Sequence, residues 1–462
     1  MDTSTYDVVI IGAGVVGCAI ARRFTLEGAH VAVLKKACDI LDGASKANSA
    51  ILHTGFDAPE GSLELSCIRK GAEEYMEICG DMGLPVEKSG AYVVAWNNEE
   101  AARLENLLVQ ARANGIADVR LIDKEELCRN EPHLADHALA AMAIPGESLI
   151  DPWSTPYAYL QQALVNGADI FLKCQVTNGN FDGHQWQLET PDGKIKCRHV
   201  INCAGLYGDL LDQAILGSAE FKITPRKGQF VIFDKAASRL IHSIILPVPA
   251  HHTKGVVLCR TVFGNLLVGP TAEDQESRSD ASTDEIALTS LLAAATDKVP
   301  DLTHMPVTAA YAGLRPATEH KEYQIQSHTD QNWITVGGIR STGLSSALGI
   351  ARHVYGLYQA TGIKHSPLDT PGIPRATMLT EKGPRDWCQD GHGDIICHCE
   401  LVTKREIEKA LSGPLAARSL AGLKRQTRIT MGRCQGFYCS ARLAELTRDH
   451  FDIPLSQEVK HE

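Results

Sequence analysis

Along the first part of the chain, apolar residues fall in short unbroken runs punctuated by glycine turns. Tyr6 to Ile11 (YDVVII) is such a run, long enough for a strand buried on both faces and too short for a helix. The turn Gly12-Ala13-Gly14-Val15-Val16-Gly17 follows, then a helix over Cys18 to Leu26 that closes near Gly28, then a second strand, His30 to Leu34. Glu99 to Asn114 and Ser154 to Asn166 carry helical periodicity, and Ile170 to Val176 reads as a strand. His199 to Gly205 (HVINCAG) is another buried strand ending in glycine, while Gly228 to Asp234 and Val256 to Cys259 read as strands of a separate sheet. Trp333 to Gly338 enters a further glycine turn before a helix over Leu348 to Thr361. Residues 364–393, rich in proline and glycine, read as a linker, and beyond it Lys404 to Leu411 and Cys439 to Arg448 read as short helices around cysteine-bearing loops.

The opening strand, glycine turn, helix and strand together give a dinucleotide-binding fingerprint its structural context. In that reading Gly12 permits the tight turn, Gly14 lets the backbone approach a pyrophosphate, and Gly17 lets helix and strand pack closely. The helix N-terminus supplies N–H groups and positive dipole to the phosphates. An acidic residue is expected at the end of the second strand to accept ribose hydroxyls, and here that place falls on Lys35, followed by Lys36. Three readings stay open: Asp39 takes the ribose from one turn further along, Lys35 contacts phosphate, or the nucleotide binds weakly.

Length adds the expectation of two to four domains, at roughly 100 to 200 residues per domain. No run approaches the roughly 18 apolar residues of a membrane span, and the chain enters a strand almost at once, leaving no room for a signal peptide. A cytoplasmic location is therefore expected. The 14 cysteines are then expected reduced or metal-bound rather than in a disulfide framework. A formal charge of -11 argues against a nucleic-acid partner, which needs a basic surface. The acidity is uneven: residues 393–462 hold 11 Lys and Arg against 9 Asp and Glu, the preceding part 34 against 47.

Several separated stretches, in order over residues 1–360, carry a resemblance. They are YDVVIIGAGVVGCAIARRF, NSAILHTGFD from Asn48, VINCAGLYGD from Val200, AGLRPAT from Ala312 and VGGIRSTGL from Val336. With them the chain resembles the D-amino-acid-oxidase-like FAD enzymes, among them the large subunit of anaerobic glycerol-3-phosphate dehydrogenase and the L-2-hydroxyglutarate oxidases. The resemblance implies FAD lying from Gly12, Gly14 and Gly17 to the turn at Gly338, Gly343 and Leu344. Lys35, Ser45, Asn48, Ser49, Val176, Ala204 and Gly205 are the further cofactor-binding candidates it implies. It also implies His53 as base or flavin contact, and Arg315 and Arg340 as grips on a substrate carboxylate or phosphate. Bland alternatives stand beside these: a histidine satisfying loop backbone, and internal salt bridges.

Cys397-x-Cys399 and Cys434-x4-Cys439, in IICHCELVTKREIEKAL and TRITMGRCQGFYC, resemble the bacterioferritin-associated-ferredoxin-like module, which implies a 2Fe-2S cluster on those four thiolates. A structural zinc site is the competing reading, although zinc pairs usually leave two to four residues between cysteines. Arg425, Arg428 and Arg433 are expected to offset the cluster's negative charge.

The fold class expected is α/β: a Rossmann-type FAD domain (1–80, 145–225 and 310–365), an antiparallel-sheet substrate domain (81–144 and 226–309), a linker (366–392) and a small, mostly helical iron–sulfur domain (393–462). The function implied is oxidation of a small anionic alcohol, glycerol-3-phosphate or a 2-hydroxy acid. Electrons would pass from flavin to cluster and on to an acceptor protein or quinone-linked subunit, with peripheral attachment at the inner membrane through that partner. Amine or amino-acid dehydrogenation, and a non-catalytic electron-transfer or assembly subunit with a weakened flavin site, are the alternatives.

Overall fold

A computed structural model describes residues 5–249 and 255–456. Its opening unit is β1 (Tyr6–Ile11), α1 (Val15–Leu26) and β2 (Val31–Leu34). β1 lies parallel between β2 and the long strand Gly193–Asn202, β2 is flanked by Asp169–Phe171, and Trp333–Gly337 runs parallel to the end of Gly193–Asn202. All residues of β2 and nearly all of β1 are buried, as expected of a sheet covered on both faces. The expected strand over Ile170 to Val176 is shorter. It ends at Phe171 because Lys173 turns into the left-handed region (φ 56°), and the following backbone instead bonds to Ala37 and Lys35.

Two helices cover one face of this sheet beside α1: Leu63–Met82 and Gly343–Gln359. They pack backbone against backbone. A Cβ at Gly71 would stand 2.2 Å from the Ser345 carbonyl oxygen, and one at Gly349 would stand 2.1 Å from that of Cys67. That contact fixes where the N-terminus of Gly343–Gln359 opens.

A second sheet of nine strands is mostly antiparallel. Its spine is the pairing of Ile223–Phe233 with Val307–Thr318, and its single parallel pair joins Ile244–Pro247 to Ala91–Ala95. Between the sheets lies a three-stranded ribbon in which Ile51–Leu52 and Val86–Glu87 flank Ser148–Ile150.

The segment read as a linker is irregular but docked. Leu368 N–H donates to the Leu26 carbonyl, Ala376 to Met82 and Glu381 to Val262, and Leu379 is buried in the core of the second sheet. The C-terminal module has a two-stranded ribbon (Ile395–Cys397 with Val402–Thr403) and helices Lys404–Ala410, Leu420–Thr427 and Ser440–Thr447 around its own apolar core. Thr403 and Glu406 close the first of these helices with a reciprocal capping box. No helix among the described residues is long and apolar enough to cross a membrane.

Candidate active site and cysteine cluster

A cavity of about 1050 Å³ runs between the two sheets. The glycine turn forms one end. Gly12 has φ +116°, and a Cβ there would stand 2.3 Å from the Cys203 carbonyl oxygen, while a Cβ at Gly17 would overlap the Gly12 carbonyl at 1.9 Å. Only glycine fits either position. The N-terminus of α1 faces the cavity with neither a side-chain cap nor an acid in its first turn; Ser45 Oγ accepts from Val15 N–H at 3.0 Å. The helix Gly343–Gln359 likewise opens without a side-chain cap at Thr342, on the same cavity. Tyr323, buried behind it, bonds to Thr342 and Ser346 and fixes that turn. Two helix N-termini, neither capped by its own N-cap residue, on one elongated cavity suit a ligand with anionic groups at one end and an electron-rich ring at the other.

Gly14, Lys35, Asn48, Ser49, Ala204, Gly205, Gly338 and Leu344 line this cavity. Val176 lies outside it, in the core with Ile11, Leu34 and Cys174. Lys35 has no ion pair or side-chain hydrogen bond among the described residues, and burial pushes its pKa down. Its ammonium stands where an acid was expected, as a donor instead of an acceptor. Asp39 does not replace the missing acid. Its carboxylate accepts from Arg418 N–H at 2.9 Å and from the Ser419 hydroxyl at 2.6 Å, so it is spent on joining the C-terminal module to the body.

His53 lines the cavity and has a partner that sequence reasoning missed. Glu147, fully buried, accepts from Thr54 N–H (2.7 Å), Thr54 Oγ1 (2.9 Å) and His53 Nδ1 (2.9 Å). An ionised carboxylate only accepts, so Nδ1 carries the proton and Nε2 is left as the acceptor. The ribbon explains the meeting: Leu52 pairs with Ser148, and continuing the antiparallel register sets His53 against Glu147. The ring is thereby a proton acceptor held in one tautomer beside a buried negative charge, the arrangement of an oriented general base.

Arg315 also reaches the cavity. It donates to the Lys227 carbonyl at 3.3 Å and to that of Thr271, and has no acidic ion-pair partner among the described residues. Burial, with Arg226 beside it, pushes its pKa down to about 10. Arg340, half-buried on the cavity wall, is anchored to the Lys321 carbonyl and is likewise without an acidic partner. Two guanidiniums fixed by neutral carbonyls keep their charge for an anionic ligand.

The four C-terminal thiols gather within reach of one another: Cys399 interacts with Cys434 and Cys397, and Cys439 with Cys397 and Cys434. Backbone N–H groups of Tyr438, then Gly436 and Phe437, hold the Cys434 thiol below its ordinary pKa, whereas burial and the neighbouring Cys397 push Cys439 up to about 11. No three His, Cys, Asp or Glu side chains among the described residues are placed to hold a single metal ion. A tetrahedral zinc site needs all four sulfurs on one point, whereas a binuclear cluster takes its cysteines two per iron. The loop conformations fit such a demand: Leu401, Arg428, Thr430 and Gln435 all lie in the left-handed region, and a Cβ at Gly432 would stand 2.3 Å from Cys399 Cβ. Strained backbone of this kind persists where a bound group or tight packing over-determines it.

The expected role of the three arginines needs correction. Arg425 donates to the Ile40 carbonyl at 3.1 Å, Arg428 pairs with Glu400 at 2.9 Å, and Arg433 pairs with Asp234 at 2.7 Å. Arg425 and Arg433 thereby dock the module on the body, Arg428 pairs within the module and reaches the body at Asn265 Oδ1, 3.4 Å away, and Arg433 also acts electrostatically on Cys399.

Comparison with known proteins fits both sites. The profile of the DAO family, FAD dependent oxidoreductase, matches residues 7–357, and that of the BFD-like 2Fe-2S binding domain matches residues 395–448. The chain is 33% identical to a glycerol 3-phosphate dehydrogenase of Caloramator mitchellensis, over 99% of this chain and 97% of that protein. It is 27% identical to human mitochondrial L-2-hydroxyglutarate dehydrogenase over 58% of this chain and 61% of that one. Among solved structures, FAD-bound L-alpha-glycerophosphate oxidase from Mycoplasma pneumoniae superposes with TM-score 0.75 at 28% identity, covering 80% of this chain and 98% of that one.

Proposed function

We propose that this chain, which belongs to the FAD dependent oxidoreductase family and carries a BFD-like 2Fe-2S binding domain, is a glycerol-3-phosphate dehydrogenase. The observation that carries the reading is the His53–Glu147 pair in the wall of a cavity where Arg315 and Arg340, unlike Arg226 and Arg278 beside them, have no acidic ion-pair partner among the described residues. The choice of phosphate is supported by a relative that matches from end to end, cluster domain included.

The glycine turn, Ser45, Lys35 and the two helix N-termini would hold FAD, and the four C-terminal cysteines a 2Fe-2S cluster. When bound, FAD accepts hydride from an alcohol carbon and the cluster carries electrons one at a time. The protein's part is positional and acid–base. Arg315 and Arg340 grip the phosphate and orient the substrate's central carbon. His53 Nε2 takes the proton of the secondary hydroxyl as the ketone forms, and Glu147 stabilises the imidazolium that results. In this reading the electrons leave for an acceptor protein or a quinone-linked subunit, the enzyme working in the cytoplasm and meeting the membrane only through that partner.

A 2-hydroxy acid is the second reading, carried by the resemblance to the L-2-hydroxyglutarate dehydrogenases over 58% of the chain. Anaerobic addition of glycerol-3-phosphate, L-2-hydroxyglutarate or an amino-acid series to the purified holoprotein separates these. Bleaching of the flavin band by the first alone supports the proposal; bleaching by the second alone assigns the arginines to a carboxylate, and bleaching by neither overturns both readings.

A further inference from the structure

The contacts between the C-terminal module and the body are of two kinds. Asp39 with the Arg418 N–H and the Ser419 hydroxyl, and Arg433 with Asp234, join the two through polar contacts. Elsewhere the join is aromatic. Trp153, beside the cavity-lining Pro152, donates its indole N–H to the carbonyl of Lys46, itself in the cavity wall, at 3.1 Å. Its ring stacks on Phe263 at 5.6 Å between centroids and 13° between planes. The Arg428 guanidinium lies 4.0 Å above the Phe263 ring and pairs with Glu400, the neighbour of Cys399, at 2.9 Å. Phe263, Arg428 and Glu400 are all buried.

The second sheet builds this arrangement. Phe263 occupies the turn between Val257–Arg260 and Leu266–Gly269, where Thr261 and Asn265 bond across the turn. Asn265 donates to the Phe233 carbonyl and accepts from Arg428. The ring is thus held from both sides, by the body and by the module.

We propose that Trp153 and Phe263 are the positioning residues of an electron bridge from the cavity to the cysteine cluster, an inference that rests on the cofactor assignment above. Electronic coupling through a protein is stronger across bonded and touching atoms than across gaps, and the stacked Trp153 and Phe263 rings, with Arg428 over Phe263, provide such a path. Each passage moves one electron: the flavin side loses it and the iron pair gains it. No bond in either ring forms or breaks, and the substrate's hydroxyl proton stays on the cavity side. Two passages discharge one substrate's electron pair, with a one-electron acceptor outside the chain emptying the cluster between them.

The test is stopped-flow reduction of the holoprotein with glycerol-3-phosphate under anaerobic conditions, following flavin bleaching and cluster reduction separately, with freeze-quench EPR on the same samples. In Phe263→Leu, cluster reduction slows by about tenfold or more while flavin bleaching keeps its rate. Trp153→Leu does the same as an independent break, and Trp153→Phe, which keeps a stacked ring, stays within about twofold of the parent. Asp39→Ala, which loosens docking away from the stack and the cluster cysteines, leaves cluster reduction unchanged. An unaltered EPR line shape of the reduced cluster shows that the ligand set is intact in each variant. Cluster reduction at parental rate in both leucine variants overturns the bridge, as does an equal slowing in Asp39→Ala, which would assign the effect to docking. If glycerol-3-phosphate bleaches no flavin, photoreduction fills the flavin and the bridge is read from the same traces, so failure of the substrate reading is recognised separately.

Discussion

Replacing Glu147 by glutamine changes one atom and should remove the base. The amide oxygen still accepts from Thr54 N–H and Oγ1, which bond at 2.7 and 2.9 Å, so the buried side chain keeps its place. Its NH2 group then faces His53 Nδ1, across the 2.9 Å where the carboxylate accepts. A donor there makes Nδ1 the acceptor and moves the ring proton to Nε2, which can no longer take one from substrate. General-base assistance contributes about 10²–10⁴ in rate, so the barrier rises by about 3–5 kcal/mol. Stability should change by only about 1–2 kcal/mol, since all three hydrogen bonds are kept and only their charge assistance is lost. Dye-coupled turnover of glycerol-3-phosphate and the anaerobic rate of flavin bleaching should both fall by that factor, with KM little altered because the phosphate grip is untouched. Bleaching within about threefold of the parent, against the hundredfold or more expected, would refute the assignment of Glu147 as the group that sets the tautomer.

Arg315→Ala removes a charged donor worth about 1.5–3 kcal/mol to an anionic ligand, and KM for glycerol-3-phosphate should rise about 10- to 100-fold in the same dye assay. Asp39→Ala breaks two charge-assisted bonds, weakening module docking by about 3 kcal/mol. Limited proteolysis should then cut within residues 366–392, with FAD content unchanged; loss of FAD would return Asp39 to the ribose. Cys434→Ser should abolish stable iron incorporation, measured by iron analysis, while FAD stays bound, because the thiol lies in the module rather than in the cavity.

What was legible in the chain is what short stretches determine. β1, the glycine turn and α1 follow from adjacent residues whose pattern suits one geometry, and the two cysteine pairs stand out by spacing alone. Glu147 was not legible. It lies 94 positions from His53, and only the pairing of Ile51–Leu52 with Ser148–Ile150 brings the two together. Asp39, Arg425 and Arg433 show a related limit: a charge near a motif in sequence also takes partners in another domain, and only the fold shows which. Pro- and Gly-rich residues 366–392 looked like a free linker because their composition prevents regular structure, yet backbone bonds to Leu26, Met82 and Val262 do not require regular structure.

That docked segment has a mechanical consequence. A slack tether would let the iron–sulfur module roam, setting its encounter with the flavin domain by an effective concentration of about millimolar. A tether fastened to the ends of two helices and to a turn of the second sheet leaves no such search volume. The module is held in one register, the gap between donor and acceptor is a constant of the fold, and an external acceptor must travel to the module, because the module is not free to travel to it.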